Sequence, residues 1–228
     1  MAGSLDGALA SAAEREATTV NPKHAAIVAA AGKLFLTKGF ASVSMDEIAN
    51  LASVSKRTVY SHFENKESLF AGVMISVCEE SGPRFSLEES DTVDLKTALR
   101  NIGLHTCRII FSEAGMAIYR TTVTEAPRAP SVGQTFFDTG PKGVFEKLSA
   151  LLAGEKARGA VDVEDVDAAS KAFIALVLEP RKMMVMMGIR ELPSEDEFTA
   201  HVDWLLPNYL RFIGYRPVEE DGTDLSGT

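Results

Sequence analysis

Cysteine is scarce in this 228-residue chain, and no thiol cluster is available for chemistry. Cys78 and Cys107 are too few and too far apart for a disulfide scaffold or a thiolate metal site, and they read as reduced core residues. A redox switch built on Cys78 and Cys107 is the alternative reading. Histidine is equally sparse, with four residues at 24, 62, 105 and 201 and no metal-type spacing among them. Neither a nucleophile elbow nor a glycine-rich phosphate loop occurs, so no cofactor or metal is expected. An enzyme would have to rely on pairs such as His105 with Glu113 or Arg120 with Glu125, which more economically make ion pairs. Long apolar runs are missing too. Ala172 to Leu178 is interrupted by Glu179-Pro180-Arg181-Lys182 before Met183 to Met187, short of the roughly 20 apolar residues that span a bilayer. Residues 1–20 carry acids at 6, 14 and 16, which do not suit a signal peptide and predict a mobile arm. A cytoplasmic globular protein is the expectation.

What is present is helical patterning. Asn21-Pro22 is a cap followed by a first-turn proline, and Ile27, Val28, Ala31, Leu34 and Phe35 form one face ended by Gly39. Ser44 with Glu47 three residues on is a capping-box pattern, and Asp46 adds a favourable first-turn charge. Met45, Ile48, Ala49 and Ala52 then recur at helical spacing. Ser55 caps a second short helix, which leaves Ala52, Ser53 and Val54 for the reversal. This is the spacing of a helix-turn-helix. Val59 and Phe63 point inward, and a rotation of about 100° per residue puts Arg57 and Ser61 outside, flanked by Thr58 and Tyr60. Lys56 and Arg57 can reach guanine edges or phosphates; Thr58, Tyr60, Ser61 and His62 can bond phosphate oxygens or read a base edge. Asn65 predicts the cap of a fourth helix, with Lys66 beside its unpaired N–H groups, a phosphate-favouring arrangement. Leu69, Phe70, Val73, Met74 and Val77 give that helix an apolar face.

Residues 21–80 resemble the DNA-binding domain of the tetracycline-repressor (TetR) family. The matching stretches are Ile27 to Phe35 with Lys38-Gly39-Phe40, Ser44 to Ala49, Ser55 to Phe63, and Asn65 to Phe70. The resemblance implies phosphate contacts at Ser44 and Lys66, and base or backbone contacts at Lys56, Arg57, Thr58, Tyr60 and His62. With Met45, Ser55 and Ser61 these complete the candidate contact set for a double-stranded operator. It also implies a cytoplasmic bacterial regulator, found with the nucleoid when bound to DNA, and an effector cavity in the remaining helical domain.

The net charge of −9 is unevenly spread. Residues 21–80 hold six basic and six acidic groups, residues 81–228 carry a net −7, and residues 54–66 hold three cations against one anion. The contact strip is locally positive. Beyond residue 80 the breaks at Gly82-Pro83, Pro127 to Pro130, Gly140-Pro141, Gly154 to Gly159, Pro193 and Pro217 predict helices near 92–112, 113–127, 130–153, 163–189 and 195–214. The expected fold is all-α with about nine helices: an arm (1–20), a DNA-binding domain (21–80), an effector-binding and dimerisation domain (81–215) and a tail (216–228). Within the larger domain His105 and Arg108 need polar partners or a ligand. Phe111, Met116, Tyr119, Phe136, Phe137, Met183 and Met187 offer an adaptable apolar lining suited to a hydrophobic effector, to plain core packing or to a subunit interface. The last two helices, about 163–189 and 195–214, carry more apolar surface than one flank of a monomer needs. The resemblance implies that they pair two subunits.

Overall fold

In the computed structural model, residues 21–80 and 94–217 are described, and among them there are eleven helices and no strand. The predicted arm (1–20) and most of the predicted tail lie outside the described residues. The helices are α1 (Pro22–Lys38), α2 (Met45–Leu51), α3 (Lys56–His62), α4 (Lys66–Glu80), α5 (Leu95–Ile110), α6 (Glu113–Glu125), α7 (Pro130–Thr139), α8 (Pro141–Ala157), α9 (Val166–Leu178), α10 (Arg181–Met186) and α11 (Glu195–Phe212).

Their starts follow from the capping residues. Asn21, Ser44, Ser55, Asp94, Ser112, Asp165 and Ser194 each accept a first-turn backbone N–H, satisfying a donor that the helix itself leaves unpaired. Asn65 and Ser68 cap α4 reciprocally: Ser68 N donates to Asn65 Oδ1 at 2.7 Å, and Asn65 N to Ser68 Oγ at 3.2 Å.

Two predicted helices are each divided. The span 130–153 breaks at Gly140, because Pro141 supplies no N–H to continue the ladder and restarts it as a first-turn residue. The predicted span 163–189 does not continue through Pro180. It stops instead, since Glu179, directly before the proline, is extended and leaves α10 as a separate short helix.

Two apolar clusters organise the packing. The first joins α1 to α4 around Phe35, Phe40 and Phe70, whose ring centroids lie 5.2–5.9 Å apart, and it takes in Ile118 of α6 and Val132 of α7. The second gathers α5, α8, α9 and α11 around Leu99, Leu148, Phe173, Val202 and Tyr209. α5 is central there: Leu95, Leu99, Leu104 and Cys107 are buried, as expected of a helix apolar around most of its circumference. α6 contributes Met116 to the second cluster and Ile118 to the first. α4 packs along α1 and α7, so it too joins the two parts.

Candidate nucleic-acid interface

The helix-turn-helix is built from very small buried surfaces. Ile48 and Ala49 of α2 and Val59 of α3 are almost wholly inaccessible, and Phe63 closes the end of α3. Ser53 in the turn adopts φ 55°, the left-handed conformation that lets the chain reverse within a few residues. Ser55 Oγ accepts from Thr58 N at 3.0 Å and lies 2.8 Å from Thr58 Oγ1, fixing the first turn of α3.

Anchoring α3 on Val59 and Phe63 turns Lys56, Arg57, Tyr60 and Ser61 outward. Arg57 has no side-chain hydrogen bond or ion pair among the described residues and is the freest donor on this face. Tyr60 is 47% exposed, unusual for a large aromatic with nothing built over it. Lys56 pairs with Asp46 of α2 at 2.8 Å, and that carboxylate raises the affinity of its ammonium for the proton. Both partners are exposed, so the pair holds the two helices weakly and can exchange for a phosphate. Thr58 and His62 are half-buried, with the His62 ring 5.8 Å from that of His24. Ser61 Oγ donates back to Thr58 O at 2.7 Å.

Three candidates sit differently from the sequence reading. Ser44 caps α2 by accepting from Glu47 N, but the Glu47 carboxylate does not close the capping box; it is bonded to Lys38, which lowers its pKa. Met45 has its side chain in the first apolar cluster, so only its backbone N–H, in the unpaired first turn of α2, is placed to meet a phosphate. Lys66 faces inward. Its Nζ donates to the carbonyls of Phe40, Val43 and Ala41 at 2.8, 3.0 and 3.3 Å and lies 4.4 Å from the Phe40 ring centroid. All three ammonium donors are thereby occupied by the loop between α1 and α2. Sequence reasoning had no signal for this, because the carbonyls come from residues more than twenty positions away.

Residues 27–73 match the family profile described as "Bacterial regulatory proteins, tetR family", and residues 97–212 match "AefR-like transcriptional repressor, C-terminal domain". The chain belongs to the TetR family of transcriptional regulators. Among curated TetR-type relatives, the HTH-type transcriptional regulator EthR of Mycolicibacterium smegmatis is 25% identical over 177 residues, 73% of this chain and 75% of that protein. The solved structure of the flavonoid-responsive regulator FrrA is 27% identical with a TM-score of 0.66, covering 83% of this chain and 96% of FrrA. A TetR-family regulator from Mesorhizobium loti shares the fold at a TM-score of 0.68, with 23% identity over 85% of this chain and 98% of its own. The matched profiles and these relatives are described as transcriptional regulators, which places this chain outside the enzyme reading.

The candidate effector residues are spread through the TetR-type C-terminal part. Phe111 and Met116 are buried in the second cluster. Tyr119 is half-buried, 5.8 Å from the Phe136 ring and 4.8 Å below the Lys182 ammonium, while Phe136 packs on the first cluster. Phe137 lies on the surface, 6.3 Å from Phe145. Met183 on α10 and Met187, its C-cap, are both exposed, while Val185 takes the inward position. Arg108 donates to Glu195 of α11 at 2.5 and 2.8 Å, and the half-buried His105 has its pKa lowered by desolvation and then by the Arg108 and Lys147 cations. None of these nine residues lines either of two clefts among the described residues. One, of 420 Å³, lies between α4 and α7; the other, of 220 Å³, lies between α1 and α6.

Cys107 is fully buried, and desolvation pushes its thiol up to about 12, which removes the thiolate that oxidation needs. Of the apolar residues on α9 and α11, Phe173, Val177, Leu178, Leu205 and Tyr209 are core, whereas Trp204 and Phe212 are 67% and 65% exposed. Leu176 joins them on the surface and was not singled out from the sequence. His201 Nε2 lies 2.9 Å from Leu176 O, which ties α11 to α9, and its ring stacks on that of Trp204.

Proposed function

We propose that this chain is a ligand-responsive dimeric repressor that reads a palindromic operator and releases it when a small hydrophobic effector binds. The observation that carries the reading is the outward face of α3, with Arg57, Tyr60 and Ser61 exposed on a helix anchored by only Val59 and Phe63. Such a face meets the major groove. Arg57 is assigned to a base edge, while Lys56, Thr58, Tyr60, Ser61, His62 and the capped starts of α2 and α3 at Ser44 and Ser55 are assigned to phosphates and neighbouring edges. Lys66 is assigned to holding the loop before α2 and not to a phosphate.

Two such units reach successive major grooves, roughly 34–36 Å apart, only as a two-fold pair. The exposed strip of Leu176, Trp204 and Phe212 on α9 and α11 is the surface assigned to that pairing. The effector is assigned to the neighbourhood of Met116, Tyr119 and Phe136, where α6 touches both apolar clusters. The flavonoid response named for FrrA is in keeping with an aromatic, largely apolar compound. Coupling is a population shift: α4 runs from the DNA side at Lys66 to the α7 and α6 side, so an effector that favours one placement of α6 alters the spacing of the recognition helices. Operator binding implies a cytoplasmic location at the nucleoid.

The test is selection of bound sequences from random duplex DNA by the purified chain, followed by titration of the winner at several salt concentrations. A palindromic winner with salt-dependent affinity is expected, and Arg57→Ala should relax preference at one base position by about 1–3 kcal/mol. Absence of enrichment at low salt would remove the operator reading.

A further inference from the structure

The cleft between α1 and α6 lies apart from the outward face of α3, and it is lined by a carboxylate with one oxygen that has no hydrogen-bond partner among the described residues. Phe35, Leu36 and Gly39 form one wall; Ala117, Thr121 and Glu125 belong to the other. Glu125 is only 9% exposed, and its Oε2 has no hydrogen-bond partner among the described residues. The sequence suggested an ion pair with Arg120. Five positions on a helix separate the two side chains by about 140°, and Arg120, though it borders the same cleft, is exposed and makes no such pair among the described residues.

A buried carboxylate left without donors is unfavourable, and here its position increases the cost. Glu125 is the last residue of α6, and Gly39 follows the last residue of α1, so the negative ends of two helix dipoles meet at the cleft. Gly39 has φ 80°, and a Cβ there would lie 3.0 Å from Glu125 Oε1; the glycine is what lets the carboxylate approach the end of α1. Lys38 does not fill the need, because it is bonded to Glu47. Phe35, Leu36 and Ala117 supply apolar surface beside the carboxylate, and Thr121, Thr124 and the exposed Arg120 complete the lining.

We propose that this cleft binds a small organic cation, an ammonium carried on a short apolar body. Its N–H groups meet the Glu125 carboxylate, and its body lies on Phe35, Leu36 and Ala117. The 220 Å³ available limits the ligand to a compact molecule. The inference does not depend on the DNA-binding reading, because occupancy is measured without DNA.

The probe is benzylamine, with benzyl alcohol as the neutral counterpart of nearly the same shape, titrated calorimetrically into the full chain near neutral pH. Saturable binding of one benzylamine per chain is expected, with benzyl alcohol at least about tenfold weaker. Glu125→Gln, which keeps the shape and removes the charge, should weaken benzylamine at least about tenfold. Ala117→Leu fills the apolar half of the cleft and should abolish binding while leaving Glu125 in place; with the alcohol control it decides the question if the Gln variant does not fold. No saturable binding by the wild-type chain, equal affinities for amine and alcohol, or an unchanged affinity in a folded Glu125→Gln chain would each overturn the proposal.

Discussion

Lys66 shows how one side chain sets the position of a recognition unit. Its ammonium ties the carbonyls of Phe40, Ala41 and Val43, just ahead of α2, to the start of α4. Lys66→Met removes these bonds and leaves three carbonyls to water, so a stability loss of about 1–3 kcal/mol is expected in denaturant titration. Operator affinity should fall with it, while the dependence of log K on log salt stays unchanged; a slope smaller by about 1 would mean that Lys66 meets a phosphate after all. His105 supplies a second test. Burial, and then Arg108 and Lys147, hold its pKa below the usual 6.5, so the folded chain takes up this proton less readily than the unfolded chain. The stability linked to the neutral ring is therefore full above about pH 6.5 and is lost as pH falls through the depressed folded value. His201 shifts in the same direction through burial, so the comparison needs a variant. His105→Asn should flatten the fall of the thermal midpoint between about pH 7 and pH 5.5; parallel curves for variant and wild type would show that His105 does not contribute.

At the scale of elements, the short helices depend on their ends. Ser194 and Glu197 make a complete capping box at the start of α11, with Glu197 N donating to Ser194 Oγ at 3.2 Å and Ser194 N to Glu197 Oε2 at 2.9 Å. Ser194→Ala should cost about 1 kcal/mol in urea unfolding, and a change near zero would show that the rest of α11 carries its own start. The joint between α5 and α6 is tighter. A Cβ on Gly115 would stand 1.9 Å from Ile109 O, so the first turn of α6 rests directly on the end of α5. Gly115→Ala is expected to lower stability by about 2–3 kcal/mol, measured as a shift in denaturation midpoint. The helix starts at Pro22, Met45, Lys56 and Lys66 were legible because a capping residue acts within three positions of itself. The inward turn of Lys66 and the orphaned Glu125 were not, since each depends on groups brought from another helix.

For the whole molecule, the net negative charge is concentrated in residues 81–228, whereas α3 carries Lys56 and Arg57 and no acid. Pairing two copies through Leu176, Trp204 and Phe212 would bury side chains that are otherwise among the most exposed apolar groups. Trp204→Glu should yield monomers in sedimentation velocity and lower affinity for a palindromic operator by at least about a hundredfold, while helix content by circular dichroism is kept. Persistence of a dimer would move the interface elsewhere.

The sequence by itself determined the helical class, the order and caps of the first four helices, and which side of α3 faces outward. Period, capping and turn length are local properties, and they suffice for these. Only the tertiary structure decided that Lys66 is consumed by loop carbonyls, that Trp204 is exposed while Leu205 is buried, and that Glu125 Oε2 has no hydrogen-bond partner among the described residues. Those outcomes follow from which helix lies against which. A single strand of sequence carries periodicity for each helix, but not the crossing angles and distances that choose among its possible neighbours.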